Sequence, residues 1–324
     1  MVIEQTMKIL HLEAENYSQA SMNKLKRLGE VYCLNPGNEQ ELDAYLSKEQ
    51  YNVIVISIGF LFDETRLRNQ KQLKYIISPT TGLNHIDLNY CQQAGINVIS
   101  LKGEEKFLST ITSTAEHTWS LLLALTRNVI AANKHVNNGG WDRTLFLGSE
   151  LYGKTIGIIG YGRLGKIVSK YASAFGMKRV VYDIAAEKVP TRLYKTLEDL
   201  LSVSDVVVLL ASYSEDNIDL ISMDEIKRMK PGCYFINTSR GELVNEAALI
   251  FGLENQIIRA AALDVLKEDS NWKKETPQSN KLLKYSKAEN NLLITPHIGG
   301  YGENSIQRTR KFIIEKFIQT VKLG

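Results

Sequence analysis

The chain has 324 residues, 44% of them hydrophobic and 23% charged, with a formal net charge of +3. That length suits two domains, since single cores seldom grow beyond ~250–300 residues, and the composition is that of an ordinary globular chain. So small a charge, with no lysine–arginine block, gives no support to nucleic acid or a membrane surface as partner. No apolar run reaches the ~18–20 residues that a membrane span requires.

Cys33, Cys91 and Cys233 are scattered without a C-x-x-C pair and read as reduced thiols. His11, His85, His117, His135 and His297 show no ligand spacing with them, so no metal site is expected. The opening residues Met1 to Met7 lack a basic region followed by an apolar one, so no secretory leader is visible and the chain reads as cytoplasmic.

Residues 7–100 repeat a strand–helix rhythm. Strand-like runs are Met7 to Leu12, Val31 to Leu34, Val53 to Ile56, Tyr75 to Ile77 and Ile96 to Ile99; helix-like segments include Gln19 to Leu28 and Glu39 to Leu46. Such alternation implies a doubly wound, mainly parallel sheet. Ser57-Ile58-Gly59 follows the third strand and Pro79 to Asn84 the fourth. Turns of small residues at strand carboxyl ends can present N–H groups to an anion, or can be plain connections. The polar stretch Leu101 to Phe107 reads as the first domain crossing, and Thr112 to Arg127 as a long helix. Glu116 and His117 are adjacent near its start; neighbours on a helix diverge by about 100°, so a joint acid–base role is disfavoured against solvation or packing. Residues 137–152 have no sustained period and read as an extended arm, with Trp141 anchored in a partner subunit or in its own.

The centre of the chain is more specific. Thr155 to Ile159 is a short β-branched run; Gly160, Gly162 and Gly165 then form G-x-G-x-x-G, and a helical pattern continues through Phe175. A second run, Arg179 to Tyr182, ends in Asp183. This strand–turn–helix–strand unit with an acid at its tip is the fingerprint of dinucleotide binding. Gly160 allows the turn, Gly162 the approach of a pyrophosphate to a helix N-terminus, and Gly165 close helix–strand packing. Asp183 can accept hydrogen bonds from a ribose diol and would repel a 2′-phosphate. A plain glycine-rich turn would leave Asp183 without a purpose.

Further strands follow at Asp205 to Leu210, Cys233 to Ile236, Ile257 to Leu263 and Leu292 to Ile294. The last three deliver Arg240, Asp264 and His297 to the carboxyl edge where a nucleotide should lie. Outside that context such an arginine is most often a surface ion pair and such a histidine merely solvated. The final run, Ser305 to Val321, is amphipathic and is expected to pack back on the first domain.

Together these segments resemble the D-isomer-specific 2-hydroxyacid dehydrogenases, over nearly the whole chain. The resemblance is densest at 153–183, at Met229 to Leu249, at Ala262-Leu-Asp-Val265 and at Thr295-Pro-His-Ile-Gly-Gly300. It implies two doubly wound α/β domains: a Rossmann-type NAD domain, 102–297, inserted into a smaller flavodoxin-like substrate domain, 1–101 and 298–324. It implies a homodimer through the nucleotide domain, NAD as cofactor and a small 2-hydroxy or 2-oxo acid as substrate. Cofactor contacts would come from Gly160, Gly162, Arg163, Leu164, Gly165, Asp183, Thr238, Ser239, Asp264, His297 and Gly300. Substrate contacts would come from Ser57, Ile58, Thr81, Gly82, Leu83 and Arg240. Arg240 would hold the substrate carboxylate and His297 would be the acid/base.

The sequence departs from the family in three places. The carboxylate partnering the histidine is usually a glutamate five residues beyond the aspartate of the Asp-Val motif; here that position is Asp269, with Glu268 before it. If 264–269 stayed extended the two side chains would point oppositely, favouring Asp269. Leu210-Ala211-Ser212 replace the usual histidine and proline, and Ser270 to Asn290 is lengthened by polar residues. The same fold also serves NAD(H)-sensing corepressors, so a binding protein is the rival to the enzyme.

Overall fold

A computed structural model describes residues 6–56, 59–269, 272 and 277–323. The chain divides into two compact units, Met1–Ile111 with Gly302–Gly324, and Thr112–Tyr301.

The first unit carries five parallel strands, β1 (Met7–His11), β2 (Gly29–Cys33), β3 (Val53–Val55), β4 (Tyr75–Ile77) and β5 (Asn97–Ile99), in the order β2-β1-β3-β4-β5. This is flavodoxin-like strand order. The two-residue period of a strand divides its side chains between the sheet's faces. Leu10 and Ile54 enter one apolar layer, while Ile9, Val53 and Val55 enter the other. The second layer is completed by Ile313, Ile314 and Phe317 of the helix Glu303–Leu323, so this unit is built from both ends of the chain. Leu101 and Leu108 are buried in the same layer, and Phe107 stacks on Phe312. The stretch 101–107, read above as a crossing, therefore belongs to the first unit, with Leu101 in its core and Phe107 packed against it, and the unit extends to Ile111.

The second unit carries β6 (Thr155–Ile159), β7 (Lys178–Tyr182), β8 (Val206–Leu209), β9 (Cys233–Asn237), β10 (Ile258–Leu263) and β11 (Leu292–Ile294), in the order β11-β10-β9-β8-β6-β7, all parallel. An isolated parallel bridge from Val181 to Tyr194 adds the trace of a further strand outside β7. Strand order reverses at β6, as in a dinucleotide-binding sheet. Val206 and Val208 pack with Trp119 and Leu122 of the helix Ser113–Thr126 on one face; Val207 and Leu209 pack with Leu200 and Leu249 on the other.

The arm differs from its extended reading. It follows a helix, Val129–Asn137, none of whose residues is buried, and contains one 3₁₀ turn at Arg143–Phe146. Trp141 is 90% exposed, so its own chain does not anchor it. Among the described residues no helix is long and apolar enough to cross a membrane.

Candidate active site

Because the strands of the second unit are parallel, the segments that follow them share one edge of the sheet. After β6 the chain turns at Gly160, whose φ is +98°. A Cβ there would lie 2.5 Å from the Ala211 amide nitrogen, so only glycine fits. A Cβ on Gly165 would meet the Gly160 carbonyl at 2.1 Å, which is the close helix–strand approach. Gly162 is the opposite case: a Cβ would meet nothing within 4 Å. It is the N-cap of the helix Arg163–Ala174 and brings no side-chain cap, leaving the positive end of a three-turn helix for an anion. Asp183, beyond β7, accepts from the Tyr161 amide at 2.6 Å and the Ala185 amide at 2.9 Å. These residues fit a dinucleotide: an open glycine at an uncapped helix start for the pyrophosphate, and an oriented carboxylate at the second strand for the ribose. Burial lowers the pKa of Arg163.

At β9, Thr238 is buried and its hydroxyl lies 2.7 Å from that of Thr118. Ser239 donates its hydroxyl to the Ala211 carbonyl, which ties the unusual 210–212 segment to the signature loop. Arg240 is half-buried, and its Nη1 donates to the Ser239 carbonyl at 2.7 Å.

At β10 and β11 a tight knot forms. Asp264 is 2% exposed. Its Oδ1 accepts from the Thr295 hydroxyl at 2.6 Å and the Ile298 amide at 2.9 Å, and its Oδ2 from the Gly299 amide at 2.7 Å. His117 Nε2 stands 3.1 Å from Asp264 Oδ1 and 3.0 Å from Thr295 Oγ1. Burial pushes the Asp264 carboxyl up, but hydrogen bonds from His117, Thr295 and the Gly299 and Ile298 amides outweigh it and hold it below the usual carboxylate range. His297 has φ +54° and donates its amide to the Asp264 carbonyl at 2.8 Å. Its Nδ1 lies 3.0 Å from Asp269 Oδ2.

The 264–269 segment is not extended. Glu268 has φ +62°, and its amide donates to Glu242 at 3.2 Å, while Asp269 Oδ2 accepts from the Leu266 amide at 3.2 Å. That turn brings the shorter carboxylate directly to the ring, with no bridging needed, whereas the Glu268 side chain is exposed. His117 is the residue that sequence reasoning left to solvation or packing. Ser113, one turn before it, was the available signal, since i and i+4 share a helix face.

A cavity of about 590 Å³ opens beside Asp264, Asp269 and His297 and runs along β11 to Lys134 and Glu289. Neither Arg240 nor the fingerprint glycines line it. In the first unit, Thr81, Gly82 and Leu83 follow β4, and their amides have no hydrogen-bond partner among the described residues. Ser57 and Ile58 lie outside the described residues.

The family model for the D-isomer specific 2-hydroxyacid dehydrogenase NAD binding domain matches residues 119–299. A glyoxylate reductase of Pyrococcus furiosus is 30% identical over 86% of this chain and 82% of its own length. A D-3-phosphoglycerate dehydrogenase of Archaeoglobus fulgidus is 32% identical over 96% of this chain, which spans only 57% of that protein. Among solved structures, D-lactate dehydrogenase from Aquifex aeolicus, complexed with NAD and lactic acid, superposes with TM-score 0.82 at 27% identity, covering 97% of this chain and 95% of that one. With the fingerprint turn, Asp183 and the strand-end residues in one sheet, the chain belongs to the D-isomer-specific 2-hydroxyacid dehydrogenases and carries their NAD binding domain.

Proposed function

We propose that this protein is an NAD-dependent oxidoreductase acting between the C2 hydroxyl of a small D-2-hydroxy acid and the corresponding 2-oxo acid. The observation that carries the reading is the pairing of His297 Nδ1 with Asp269 at 3.0 Å, in the loop after β11 of the fingerprint sheet. Bound NAD would supply the hydride acceptor, and NADH the donor. His297 takes the hydroxyl proton during oxidation and returns it during reduction, with Asp269 fixing the ring and its tautomer. Arg240 holds the substrate carboxylate as a planar fork. In the first unit Thr81, Gly82 and Leu83 offer N–H donors suited to a substrate anion. Gly160, Gly162, Arg163, Leu164 and Gly165 hold the pyrophosphate, Asp183 the ribose, and Thr238, Ser239, Asp264 and Gly300 the rest of the cofactor.

A phosphorylated substrate is disfavoured. Arg66, the arginine after the β3 loop nearest to Phe60-Leu61-Phe62, is bound to Glu39, Asp43 at 2.7 Å and the Leu61 carbonyl, with its guanidinium over the Phe62 ring. It is therefore engaged with carboxylates of its own chain. The exposed apolar residues Val129, Ile130, Val136, Trp141, Leu145 and Leu147 support a homodimer through the second unit. Three free cysteines fit a cytoplasmic setting.

The test is NADH oxidation with a panel of 2-oxo acids, 3-phosphohydroxypyruvate included. Turnover of small unphosphorylated acids is expected, and Arg240→Lys should cost about tenfold or more in kcat/KM, roughly 1.4 kcal/mol per decade. Tight NADH binding without turnover of any acid would make this a nucleotide-sensing protein instead.

A further inference from the structure

We propose that His117 is a positioning residue for His297, acting through Asp264 and Thr295; the inference rests on the catalytic reading of His297 given above. His297 is a non-glycine residue at φ +54°, a conformation that persists only where its surroundings over-determine it. The surroundings are Asp264. Its carbonyl takes the His297 amide, its carboxylate takes the next two amides, and Thr295, two residues earlier, gives it a hydroxyl hydrogen. The loop 295–299 is thus wound around one buried carboxylate.

The chemistry fixes what His117 contributes. An ionised carboxylate only accepts, and the single hydroxyl hydrogen of Thr295 is committed to Oδ1 at 2.6 Å. Both atoms that face His117 Nε2, at 3.1 and 3.0 Å, are therefore acceptors. Nε2 must carry a hydrogen and share it between them. Without that hydrogen the Thr295 oxygen has no donor, its hydroxyl loses a reason to stay on Asp264, and the loop's anchor loosens where it sets the His297 backbone.

The same helix grips the loop a second time. Ser113, on the face of His117, donates its hydroxyl to the Gly299 carbonyl at 2.8 Å. A Cβ on Gly299 would lie 2.8 Å from Asp264 Oδ2, 3.3 Å from Thr114 Cγ2 and 3.6 Å from His117 Cδ2. The loop passes between the aspartate and the helix with no room to spare. The buried face of the same helix also carries Ala115, Trp119 and Leu122 in the core, and Thr118, whose hydroxyl lies 2.7 Å from that of Thr238.

The experiment compares His117→Phe, which keeps ring volume and loses the donor, with His117→Gln, which keeps an N–H near the Nε2 position, both in the full-length protein. Thr295→Val is the second variant, removing the shared acceptor at constant shape. For His117→Phe the expected result is a fall in kcat of about tenfold or more. The primary isotope effect with deuterated NADH should become larger, while KM and NADH affinity stay within about twofold. His117→Gln should recover most of the loss, and Thr295→Val should fall between them. In ligand-free protein labelled with ¹⁵N-histidine, His117 should show hydrogen on Nε2, and the His297 ring signals should be sharp in wild type and broadened in His117→Phe. Normal kcat in His117→Phe, failure of His117→Gln to recover, or a hydrogen on Nδ1 alone would overturn the proposal. If wild type turns over no 2-oxo acid, the catalytic reading fails by itself, and the ligand-free His297 signals still decide whether His117 positions that ring.

Discussion

Asp264 in the second unit and Glu13 in the first are both buried carboxylates just beyond the ends of parallel strands, and they are kept in opposite ways. Asp264 has backbone amides on both carboxylate oxygens, a hydroxyl and a histidine, and its pKa is lowered. Glu13 has Arg310 at 2.8 Å, yet burial dominates and its pKa is raised. Around Glu13, His11 Nε2, the Tyr17 hydroxyl and Arg310 Nε have no hydrogen-bond partner among the described residues. The difference follows from desolvation. Amides and hydroxyls at a strand end are already fixed, and they stabilise a buried charge without bringing another charge out of water. A buried arginine must itself be desolvated, so part of its attraction is lost.

The largest expected effect sharpens this contrast by pH. Burial, reinforced by Arg310, lowers the His11 pKa from 6.5 to about 3. The unfolded chain then binds a proton that the folded one refuses, so the contribution is complete above pH 6.5 and is lost as pH falls toward about 3. At ~1.36 kcal/mol per unit the loss across that window is about 5 kcal/mol at most. Glu13, shifted upward from 4.5, acts with the opposite sign just above that pH. Urea unfolding of wild type and His11→Phe from pH 7 to pH 4 should show a much flatter profile in the variant; parallel profiles would mean that His11 is protonated in the folded protein.

Breaking the Glu13 pair comes next. Arg310→Leu should cost about 3–5 kcal/mol, because it leaves a buried carboxylate without its counter-ion, and Glu13→Leu with Arg310→Leu should regain most of it. A double variant as unstable as the single one would show that packing, rather than charge, holds this end of β1.

At Asp264 the expected loss of stability is smaller, about 2–3 kcal/mol for Asp264→Ala, since the freed amides lie near the surface loop. Its effect on turnover should be at least about 100-fold, through displacement of His297. Asp264→Asn should rescue little, as its NH₂ would face donors. Full activity in Asp264→Asn would mean that shape alone sets the loop.

Asp183 sharpens the comparison from the other side: two amides orient it, one on each oxygen, and it is only half-buried. Asp183→Ser should move the NAD(H)/NADP(H) preference toward the phosphate form by about tenfold, roughly 1.4 kcal/mol. An unchanged ratio of kcat/KM values would remove this residue from cofactor selection.

What was legible in the sequence is what local pattern determines. The β6 and β11 bounds, the Gly160 turn and the presentation of Arg240, Asp264 and His297 at strand ends all follow from short-range periodicity and turn chemistry. The place where the chain leaves the first unit was misread because 101–107 is polar in part, yet Leu101, Phe107 and Leu108 find partners some 200 residues away in the last helix. His117 was passed over for the same reason: its partners, Asp264 and Thr295, are 147 and 178 residues distant. Asp269 lies beside the His297 ring, and the extended backbone that alternation assumes for 264–269 is absent. The segment turns, and it is the turn that brings the shorter side chain to the ring.

The assembly of the first unit from both ends of the chain has a consequence for synthesis. Its apolar layer includes Ile313, Ile314 and Phe317 beside Met22, Leu25 and Leu108, so one face of that sheet is only partly covered while the ribosome translates everything from Thr112 to Tyr301. The second unit, a continuous segment, has all its strands available before the helix Glu303–Leu323 emerges. The order of maturation is therefore reversed relative to the order of translation. The nascent chain carries a partly covered apolar sheet at its N-terminal side for many seconds, at ~5–20 residues per second, and that interval is when a chaperone would find it.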